Sequence, residues 1–253
     1  MADYVLSDVD RDHRARLDAI AAPADEGTFA ILQQLGVGTG WHCAEIGAGS
    51  GTVAAWLCER VGPTGIVVGT DINTRWLESL DYANLQVQEH DIAQSPLEGQ
   101  YDVVHTRNVL CHVPERQRAF AHLVAAVRPG GWLLVEDVDF FGAGAAYPPS
   151  DAFERITDAI VALMQRAGAD PFFGRKLPSW VADAGFTSTG WNVRDISAAD
   201  DEKWRLNLNA FAPAALAAGL VEKADVDALT KGQLPLVRYG PRFVAAWGTK
   251  PPT

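Results

Sequence analysis

The chain has 253 residues, enough for one domain with an elaboration, and its 48% hydrophobic and 21% charged residues are typical of a soluble globular enzyme. A formal net charge of −11 disfavours binding to nucleic acid and to an anionic membrane surface. Three cysteines without a C-x-x-C pair, no signal-peptide pattern and no apolar run near ~20 residues predict a cytoplasmic protein with reduced thiols.

Two helical patterns precede the first predicted strand. Residues 5–21 place apolar side chains on one side of a charged segment, and residues 28–35 form a second, shorter pattern that the following glycines end. A leading helix of this kind packs on a sheet or lies over the mouth of a cofactor site. We favour the packing role.

A glycine-rich segment follows the first strand, an apolar run that starts at Trp41. It reads Glu45-Ile46-Gly47-Ala48-Gly49-Ser50-Gly51 and opens a helical pattern. Glycine at alternate positions of a strand-to-helix turn lets the backbone approach a bound molecule, and the next helix directs free N–H groups at it. The segment predicts a nucleotide-cofactor loop, with a turn that needs glycine for shape alone as the alternative.

The spacing of these glycines bears on which cofactor the loop would hold. A dinucleotide loop has the spacing G-x-G-x-x-G and seats a pyrophosphate, whereas the third glycine here, Gly51, comes one residue early. S-adenosylmethionine has no phosphate, and its amino-acid end needs close backbone approach, a few donors and a carboxylate for its ammonium group. Glu45, at the last inward position of the strand, suits that last task.

The second predicted strand is a continuous apolar run, residues 66–70, that ends on Asp71. Such a run is typical of a strand buried on both faces of a parallel sheet. Asp71 follows Gly51 by about 20 residues, where this arrangement presents an acid to the two ribose hydroxyls of a nucleotide. The alternative is that Asp71 merely caps a helix beginning near Thr74.

The third predicted strand ends in His90-Asp91-Ile92. An acid at the carboxyl edge of a strand can accept a hydrogen bond from an adenine amino group, which suits Asp91. Ile92 beside it offers an apolar face to the same ring.

The fourth predicted strand, residues 102–106, runs into Arg107 and Asn108. A helix predicted to start after Pro114 carries apolar residues on one face through Val127 and ends at Arg128-Pro129-Gly130-Gly131. Residues 132–135 then form the fifth strand, which closes on Glu136 and Asp137.

By this point the motifs resemble a known family, the class I S-adenosylmethionine-dependent methyltransferases, specifically the small-molecule branch typified by quinone-biosynthesis methyltransferases. The residues that carry the resemblance are Glu45 to Gly51, Val67 to Ile72, His90 to Ile92, Tyr101 to Arg107 and Leu123 to Glu136. The match covers roughly residues 30–138, and its motifs come in the family's order.

The resemblance implies an α/β fold, a Rossmann-like seven-stranded, mostly parallel sheet with helices on both faces and an antiparallel last strand. It also implies S-adenosylmethionine as cofactor and S-adenosylhomocysteine as product. The implied cofactor contacts are Glu45, Gly47, Ala48, Gly49, Gly51, Asp71, Ile72, Asp91, Ile92 and the backbone near Arg107 and Asn108.

Two departures from related groups narrow the expected chemistry. The fourth strand does not run into the Asn-Pro-Pro-Tyr type of sequence that resembles amino-group methylation of adenine or glutamine. No Asp…Asp-Asn set like that of metal-dependent catechol enzymes follows the fifth strand. We therefore expect metal-free methylation of a small, aromatic or apolar molecule on O, N or C.

The second half of the chain is expected to choose the acceptor. We divide the single domain into residues 1–35 (N-terminal helices), 36–138 (cofactor-binding half), 139–240 (substrate-side elements) and 241–249 (last strand). A loop at residues 140–149 has aromatic residues at both ends, and residues 153–164 show a helical stripe that predicts core. A short helix at 178–184 and a sixth strand from Phe186 follow.

The connection before the last strand, residues 197–240, is far longer than usual. It holds helical patterns at 204–211 and 213–229, which predict a helical cap over the active site. Oligomer contact is the plain alternative, and the oligomeric state cannot be read from the sequence.

Candidate catalytic residues follow from the chemistry of an in-line displacement. Alignment at ~3 Å and exclusion of water can supply most of the catalysis, and a base is needed only for an acceptor that starts protonated. His112, Asp137 and Asp139 follow the fourth and fifth strands at the expected cofactor edge. His112 is favoured because histidine titrates near neutrality, with a structural role in its turn as the alternative.

For the remaining ionisable residues, a structural or surface role is an alternative or the default interpretation. Arg175 could hold an acidic acceptor or form a surface ion pair. The other five histidines are taken as structural or exposed: His13, His42, His90, His105 and His122.

Two other functions stay open at this point. A nicotinamide-dependent oxidoreductase lacks support, because the glycine spacing differs and no Tyr-x-x-x-Lys occurs. A protein that binds S-adenosylmethionine without transferring its methyl group would carry the same binding motifs.

Overall fold

The computed structural model describes residues 11–195, 201–231 and 237–252. Its strands are β1 (His42–Ile46), β2 (Ile66–Asp71), β3 (Leu85–Glu89), β4 (Tyr101–Arg107), β5 (Val127–Asp139), β6 (Ala146–Tyr147), β7 (Thr187–Asp195), β8 (Val237–Arg238) and β9 (Arg242–Thr249). Its helices are α1 (Arg11–Gln34), α2 (Thr52–Val61), α3 (Arg116–Ala126), α4 (Asp151–Arg166), α5 (Leu177–Asp183), α6 (Asp201–Ala217) and α7 (Lys223–Thr230).

Seven strands form one sheet in the order β3-β2-β1-β4-β5-β9-β7. β1 pairs in parallel with β2 and β4, whereas β9 runs antiparallel to both β5 and β7. The predicted fold class, a seven-stranded mostly parallel sheet with an antiparallel last strand, is confirmed. The strand order reverses at β1 and β4, so ligands are expected at the carboxyl ends of those strands.

Apolar residues of the central strands are buried against helices on both faces. Leu32 of α1 and Leu57 of α2 belong to one core cluster, and Leu123 of α3 and Val181 of α5 belong to the other. Coverage of both faces explains why β2 reads as a continuous apolar run rather than an alternating one. All three cysteines are buried and unpaired.

The N-terminal region differs from its prediction. Residues 5–10 lie outside the described part of the chain, and from Arg11 onward a single helix, α1, replaces the two expected helices. Pro23 lies inside α1 and removes one backbone hydrogen bond there. Burial of Ala24 and Leu32 outweighs this cost, because packing commonly overrides local propensity.

Three element boundaries also need correction. β3 ends at Glu89, before the predicted His90-Asp91-Ile92 end, and only a short 3₁₀ helix, Leu77–Ser79, forms where a helix near Thr74 was expected. The helix predicted to reach Val127 ends at Ala126, and β5 starts at Val127. The Arg-Pro-Gly-Gly stop therefore belongs to a strand, with Gly130 at a φ of 75°.

Residues between β5 and β9 build the outer part of the domain. The predicted stripe at 153–164 is confirmed as core, since α4 packs on α6 and α7 through buried residues such as Phe153, Leu208 and Leu229. The predicted helices at 204–211 and 213–229 are instead α6, which continues through Pro213, and the shorter α7. Within the described ranges, each helix is too short or too polar to cross a bilayer.

The predicted loop at 140–149 contains a short strand of its own. β6 pairs antiparallel with β8, and backbone hydrogen bonds also join Gly144 and Ala145 to Tyr239. We call this β6–β8 pair the ribbon. It ties the segment after β5 to the far end of the connection that carries α6 and α7.

Candidate active site

The glycine-rich segment forms the turn between β1 and α2. Gly47, Gly49 and Gly51 have φ values of 67°, 57° and 86°, in the left-handed region that favours glycine. A side chain at Gly47 would collide with Val109, and one at Gly51 would approach Leu80 Cδ1 within 2.7 Å. Gly49 has no heavy atom within 4 Å of the place a Cβ would occupy, so space is open beside the middle of this loop.

Asp71, the last residue of β2, reaches back to that loop. Its Oδ2 accepts a hydrogen bond from the Gly49 N–H at 2.8 Å, and its Oδ1 accepts one from the Asn73 N–H at 3.0 Å. The carboxylate is thus shared between the glycine loop and the turn after β2. The helix cap near Thr74, which was the alternative interpretation, has no α-helix to serve.

The other residues predicted near the adenine lie at different depths. Ile72 is 62% exposed at the carboxyl edge, and Asp91 is exposed with one oxygen accepting the Ala93 N–H at 2.8 Å. Ile92, by contrast, is 4% exposed and belongs to the core. Ile92 therefore supports this edge from below.

At the carboxyl end of β4 the backbone borders the candidate site, whereas the charged side chain of Arg107 is directed away toward α1. Arg107 turns its guanidinium to α1, where it bonds Asp25 at 2.7 Å and the Thr28 hydroxyl at 3.0 Å. Asn108 has a φ of 58°, and its N–H donates to the Glu136 carbonyl oxygen at 2.9 Å. The side-chain oxygen of Asn108 is buried and accepts no hydrogen bond from the described residues.

Glu45 is buried beside a histidine of the neighbouring strand. Its Oε2 lies 2.5 Å from Nδ1 of His105, and the other ring nitrogen, Nε2, lies 3.1 Å from Oε2 of Glu136 on β5. Burial by itself would lower the pKa of His105, but the two carboxylates raise that pKa to about 9. The ring is therefore held as an imidazolium at neutral pH.

Glu136 is the most heavily bonded of these groups. Its carboxylate also bonds the Arg194 guanidinium of β7 and accepts the Thr28 hydroxyl at 2.6 Å. Burial alone would raise the pKa of Glu136, but His105 and the nearby guanidinium groups lower it to about 2. This network joins β1, β4, β5 and β7 to α1.

The catalytic candidates His112 and Asp137 are linked indirectly, because Asp137 bonds the backbone of the turn that carries His112. Asp137 is 1% exposed, and its Oδ2 accepts the Cys111 N–H at 3.1 Å, which fixes the residue before His112. Burial raises the pKa of Asp137 to about 7. His112 is partly exposed, and its N–H donates to the Val109 carbonyl oxygen at 3.0 Å.

Asp139 and Arg175 bind each other. The guanidinium makes two-pronged contact with the carboxylate, with Nη2 2.7 Å from Oδ1, and lies over the ring of Phe141 at 4.4 Å. Of the two interpretations of Arg175, the ion pair is the one the structure contains.

Sequence reasoning missed the polar and charged network between α1 and the sheet, which includes Asp25 and Thr28 of α1, His105 of β4 and Arg194 of β7. His105 was interpreted as structural by default, and Arg194 carried no motif. A usable signal existed, since Glu45, His105 and Glu136 interrupt apolar strands near their carboxyl ends. Charged residues at such positions need partners, and neighbouring strands are where those partners lie.

Comparison with known proteins adds a family and a fold. A family model described as a methyltransferase domain matches residues 7–189. A methyltransferase of Strobilurus tenacellus, str2, is 31% identical over 182 residues, covering 70% of this chain and 64% of its own length. The Pseudomonas fluorescens ubiquinone/menaquinone biosynthesis C-methyltransferase UbiE is 32% identical over 113 residues, covering 41% and 44%.

Among solved structures, phosphoethanolamine N-methyltransferase 2 of Haemonchus contortus, in complex with phosphomonomethylethanolamine and S-adenosylhomocysteine, superposes with a TM-score of 0.59. Its sequence is 19% identical, and the superposition covers 93% of this chain and 57% of that one. At this identity the likeness establishes a shared fold. The chain spans about half to two thirds of the length of the first curated relatives it matches.

Proposed function

This chain belongs to the methyltransferase domain family, and on that premise we propose that it transfers a methyl group from S-adenosylmethionine to a small-molecule acceptor. The transfer is an in-line displacement onto O, N or C that leaves S-adenosylhomocysteine. The family named by the motifs agrees with the family match. The quinone-biosynthesis branch has partial support from the UbiE relative and stays a prediction.

One observation carries the proposal, the conformation of the loop between β1 and α2. Three left-handed glycines at alternate positions shape this turn, and the backbone at Gly49 borders open space because no heavy atom lies within 4 Å of the place a Cβ would occupy there. The G-x-G-x-G spacing leaves out the extra residue found in a pyrophosphate loop. This arrangement favours a nucleoside ligand without phosphate.

Two features test whether the chain fits this cofactor. The space that a Cβ would fill at Gly49 is empty, which leaves room for a ligand against the loop. The Asn108 side-chain oxygen is a buried acceptor without a partner among the described residues, and buried acceptors are normally satisfied. A ligand that donates hydrogen bonds at this edge would satisfy it.

We assign the cofactor-binding residues to three parts of S-adenosylmethionine: its amino-acid end, its ribose and its adenine. Gly47, Ala48, Gly49 and Gly51, with Glu45 and the backbone at Arg107 and Asn108, would hold the amino-acid end. Asp71 would accept the ribose hydroxyls, since its carboxylate lies at the carboxyl end of β2 beside the glycine loop. Exposed Ile72 and Asp91 would face the adenine, with Ile92 behind them.

The region proposed to bind the acceptor, after the carboxyl end of β5, is more apolar than the region proposed to bind the cofactor. The ribbon and the residues next to it in the chain expose three aromatic side chains, Phe141 (64%), Tyr147 (69%) and Tyr239 (48%). Their position after the carboxyl end of β5 supports an aromatic or apolar acceptor, with α6 and α7 as a cap over it. S-adenosylmethionine supplies an electrophilic methyl group on a positively charged sulfur, so exclusion of water here would favour transfer.

For an acceptor that starts protonated, we propose His112 as the base. It is the partly exposed member of the candidate pair, and the Asp137 contact with Cys111 holds its turn. Asp137 itself is buried, so its contribution is to position this turn and to keep a titratable carboxyl behind it.

Other features support a reducing cellular location. The three cysteine thiols are free and buried, which is typical of a cytoplasmic protein. We propose that setting together with the enzymatic role.

Calorimetry with S-adenosylhomocysteine and with NADH tests the cofactor. We expect micromolar binding of the first ligand only, whereas tight NADH binding would favour the oxidoreductase. Incubation with methyl-labelled cofactor and cell extract then tests transfer and identifies the product. Binding of S-adenosylhomocysteine without any labelled product would favour a non-catalytic binding protein.

A further inference from the structure

Three ionisable side chains from three neighbouring strands form a buried row beneath α1. Glu45 lies on β1, His105 on β4 and Glu136 on β5, and their side chains are at most 3% exposed. His105 is central, with Nδ1 2.5 Å from Glu45 and Nε2 3.1 Å from Glu136. Both ring nitrogens therefore face carboxylate oxygens.

This geometry selects one protonation state. A neutral imidazole carries a single N–H and would turn an unprotonated nitrogen toward one of the two carboxylates. An imidazolium donates from both nitrogens, so it suits both contacts. The positive charge also offsets two carboxylates that burial would otherwise disfavour.

The two carboxylates depend on His105 to different extents. Glu136 also bonds the Arg194 guanidinium and the Thr28 hydroxyl, so it retains a cation and a donor when His105 is changed. For Glu45, His105 is the one side-chain donor among the described residues. Loss of the imidazolium would leave a buried carboxylate without a cation at Glu45 alone.

We propose that His105 is a positioning residue, whose imidazolium pairs with the Glu45 carboxylate and orients it toward the ammonium group of the cofactor's amino-acid end. The inference rests on the proposed function, because it assigns Glu45 to S-adenosylmethionine. The Oε2 atom of Glu45 is taken by His105, which leaves Oε1 for the ligand. His105 acts through Glu45 and need not touch the ligand.

The charged groups around His105, both in the row and next to it, set the pH range over which its imidazolium persists. Arg107 lies two residues further along β4, paired with Asp25 of α1, and Arg194 approaches from β7. Glu45 on β1 and Glu136 on β5 raise the pKa of His105 to about 9 despite burial. His105 therefore keeps its positive charge between pH 6 and pH 8 in the wild-type protein.

The test compares two ligands that differ at the amino-acid end. S-adenosylhomocysteine carries the ammonium group, whereas 5′-methylthioadenosine has the same nucleoside without it. For His105→Gln we expect at least about tenfold weaker binding of S-adenosylhomocysteine at pH 7 and a Kd for methylthioadenosine within about twofold of wild type. His42→Gln, at the opposite end of β1, is the matched control and should change neither Kd.

The pH dependence of S-adenosylhomocysteine affinity is a second readout, which a simple loss of packing at His105 would not change. In His105→Gln, the buried Glu45 lacks its partner cation, so the S-adenosylhomocysteine affinity of this variant should rise from pH 6 to pH 8. Wild-type affinity should stay level over the same range. Equal weakening of both ligands, or a variant with wild-type affinity and pH profile, would overturn the proposal.

A measurement on the wild-type protein avoids dependence on a variant that fails to fold. With ¹⁵N-labelled histidine, NMR should show one ring that stays doubly protonated at pH 8 and shifts on adding S-adenosylhomocysteine but not methylthioadenosine. The lack of such a ring would equally overturn the role of His105. Failure of the proposed function looks different, because the wild-type protein would then bind neither ligand.

Discussion

The carboxylate of Asp71 accepts the backbone N–H of Gly49 at 2.8 Å, which joins the end of β2 to the middle of the glycine-rich turn. The same side chain thus stabilises the loop and, in the proposed function, accepts the ribose hydroxyls. A change at this position removes both contributions, so its effect on binding should exceed that of a simple lost contact.

We expect Asp71→Ala to weaken S-adenosylhomocysteine binding by about 2–4 kcal/mol, roughly 30- to 1000-fold, because hydrogen bonds to a charged acceptor are lost. Isothermal titration calorimetry measures this change. Asp81→Ala, at an exposed carboxylate between the 3₁₀ helix and β3, is the control and should bind as wild type does. An unchanged Kd for Asp71→Ala would remove this residue from the site.

Gly49 and Gly36 offer a matched pair of substitutions. Both have positive φ values, 57° and 86°, and both have open space where a Cβ would lie. Alanine at either position should cost about 1–2 kcal/mol of stability, measured by urea unfolding, because an L-residue is strained in this region. Only Gly49→Ala should also weaken S-adenosylhomocysteine binding, since its methyl group enters the ligand space. Equal binding by both variants would argue that the ligand lies elsewhere.

His112→Gln separates catalysis from binding. For an acceptor that must lose a proton, we expect kcat to fall by about 10²-fold or more, because general bases contribute on this order. S-adenosylhomocysteine affinity should stay at the wild-type level. The assay follows labelled-methyl transfer to the identified acceptor, with His42→Gln as control. Unchanged turnover would mean that alignment alone suffices.

Asp137 should make stability depend on pH. Burial raises its pKa to about 7, so the folded state holds the proton more tightly than the unfolded chain, in which aspartate titrates near 4. The stability from the protonated carboxyl is complete below about pH 4 and is lost as pH rises through about 7.

Asp137→Asn should remove that loss, which urea unfolding at pH 4.5 and pH 8 can measure. The difference in unfolding free energy between the two pH values should be smaller in Asp137→Asn than in wild type. Asp158→Asn changes an exposed carboxylate of α4 and should retain the wild-type difference. The same pH dependence in Asp137→Asn and wild type would contradict the role of burial.

The cofactor half was largely predictable because its signals are local. The glycine turn needs residues that tolerate positive φ, and β2 is an apolar run ending in an acid. Such features depend on a few adjacent residues, so one sequence shows them. The boundary of β5 was missed because Gly131 is required by close approach to the Tyr101 carbonyl oxygen, within 2.8 Å of a would-be Cβ, rather than by a turn.

The buried charge network could not be predicted from short sequence patterns. Its members come from four strands and a helix, and Thr28 contacts Glu136 across 108 residues of chain. Pairing of this kind depends on strand order and register, which a lone sequence does not reveal. The continuity of α1 through Pro23 was missed for a related reason, because the packing that stabilises it lies on distant elements.

The ribbon has a consequence for protein engineering. Its two strands, Ala146–Tyr147 and Val237–Arg238, come from distant parts of the chain yet share one hydrogen-bonded ladder. A chimera that exchanges α6 and α7 with those of a relative would sever this ladder unless both partners travel together. Grafts meant to alter acceptor choice should therefore carry residues 144–147 along with 201–239, while the strands proposed to bind the nucleoside remain untouched.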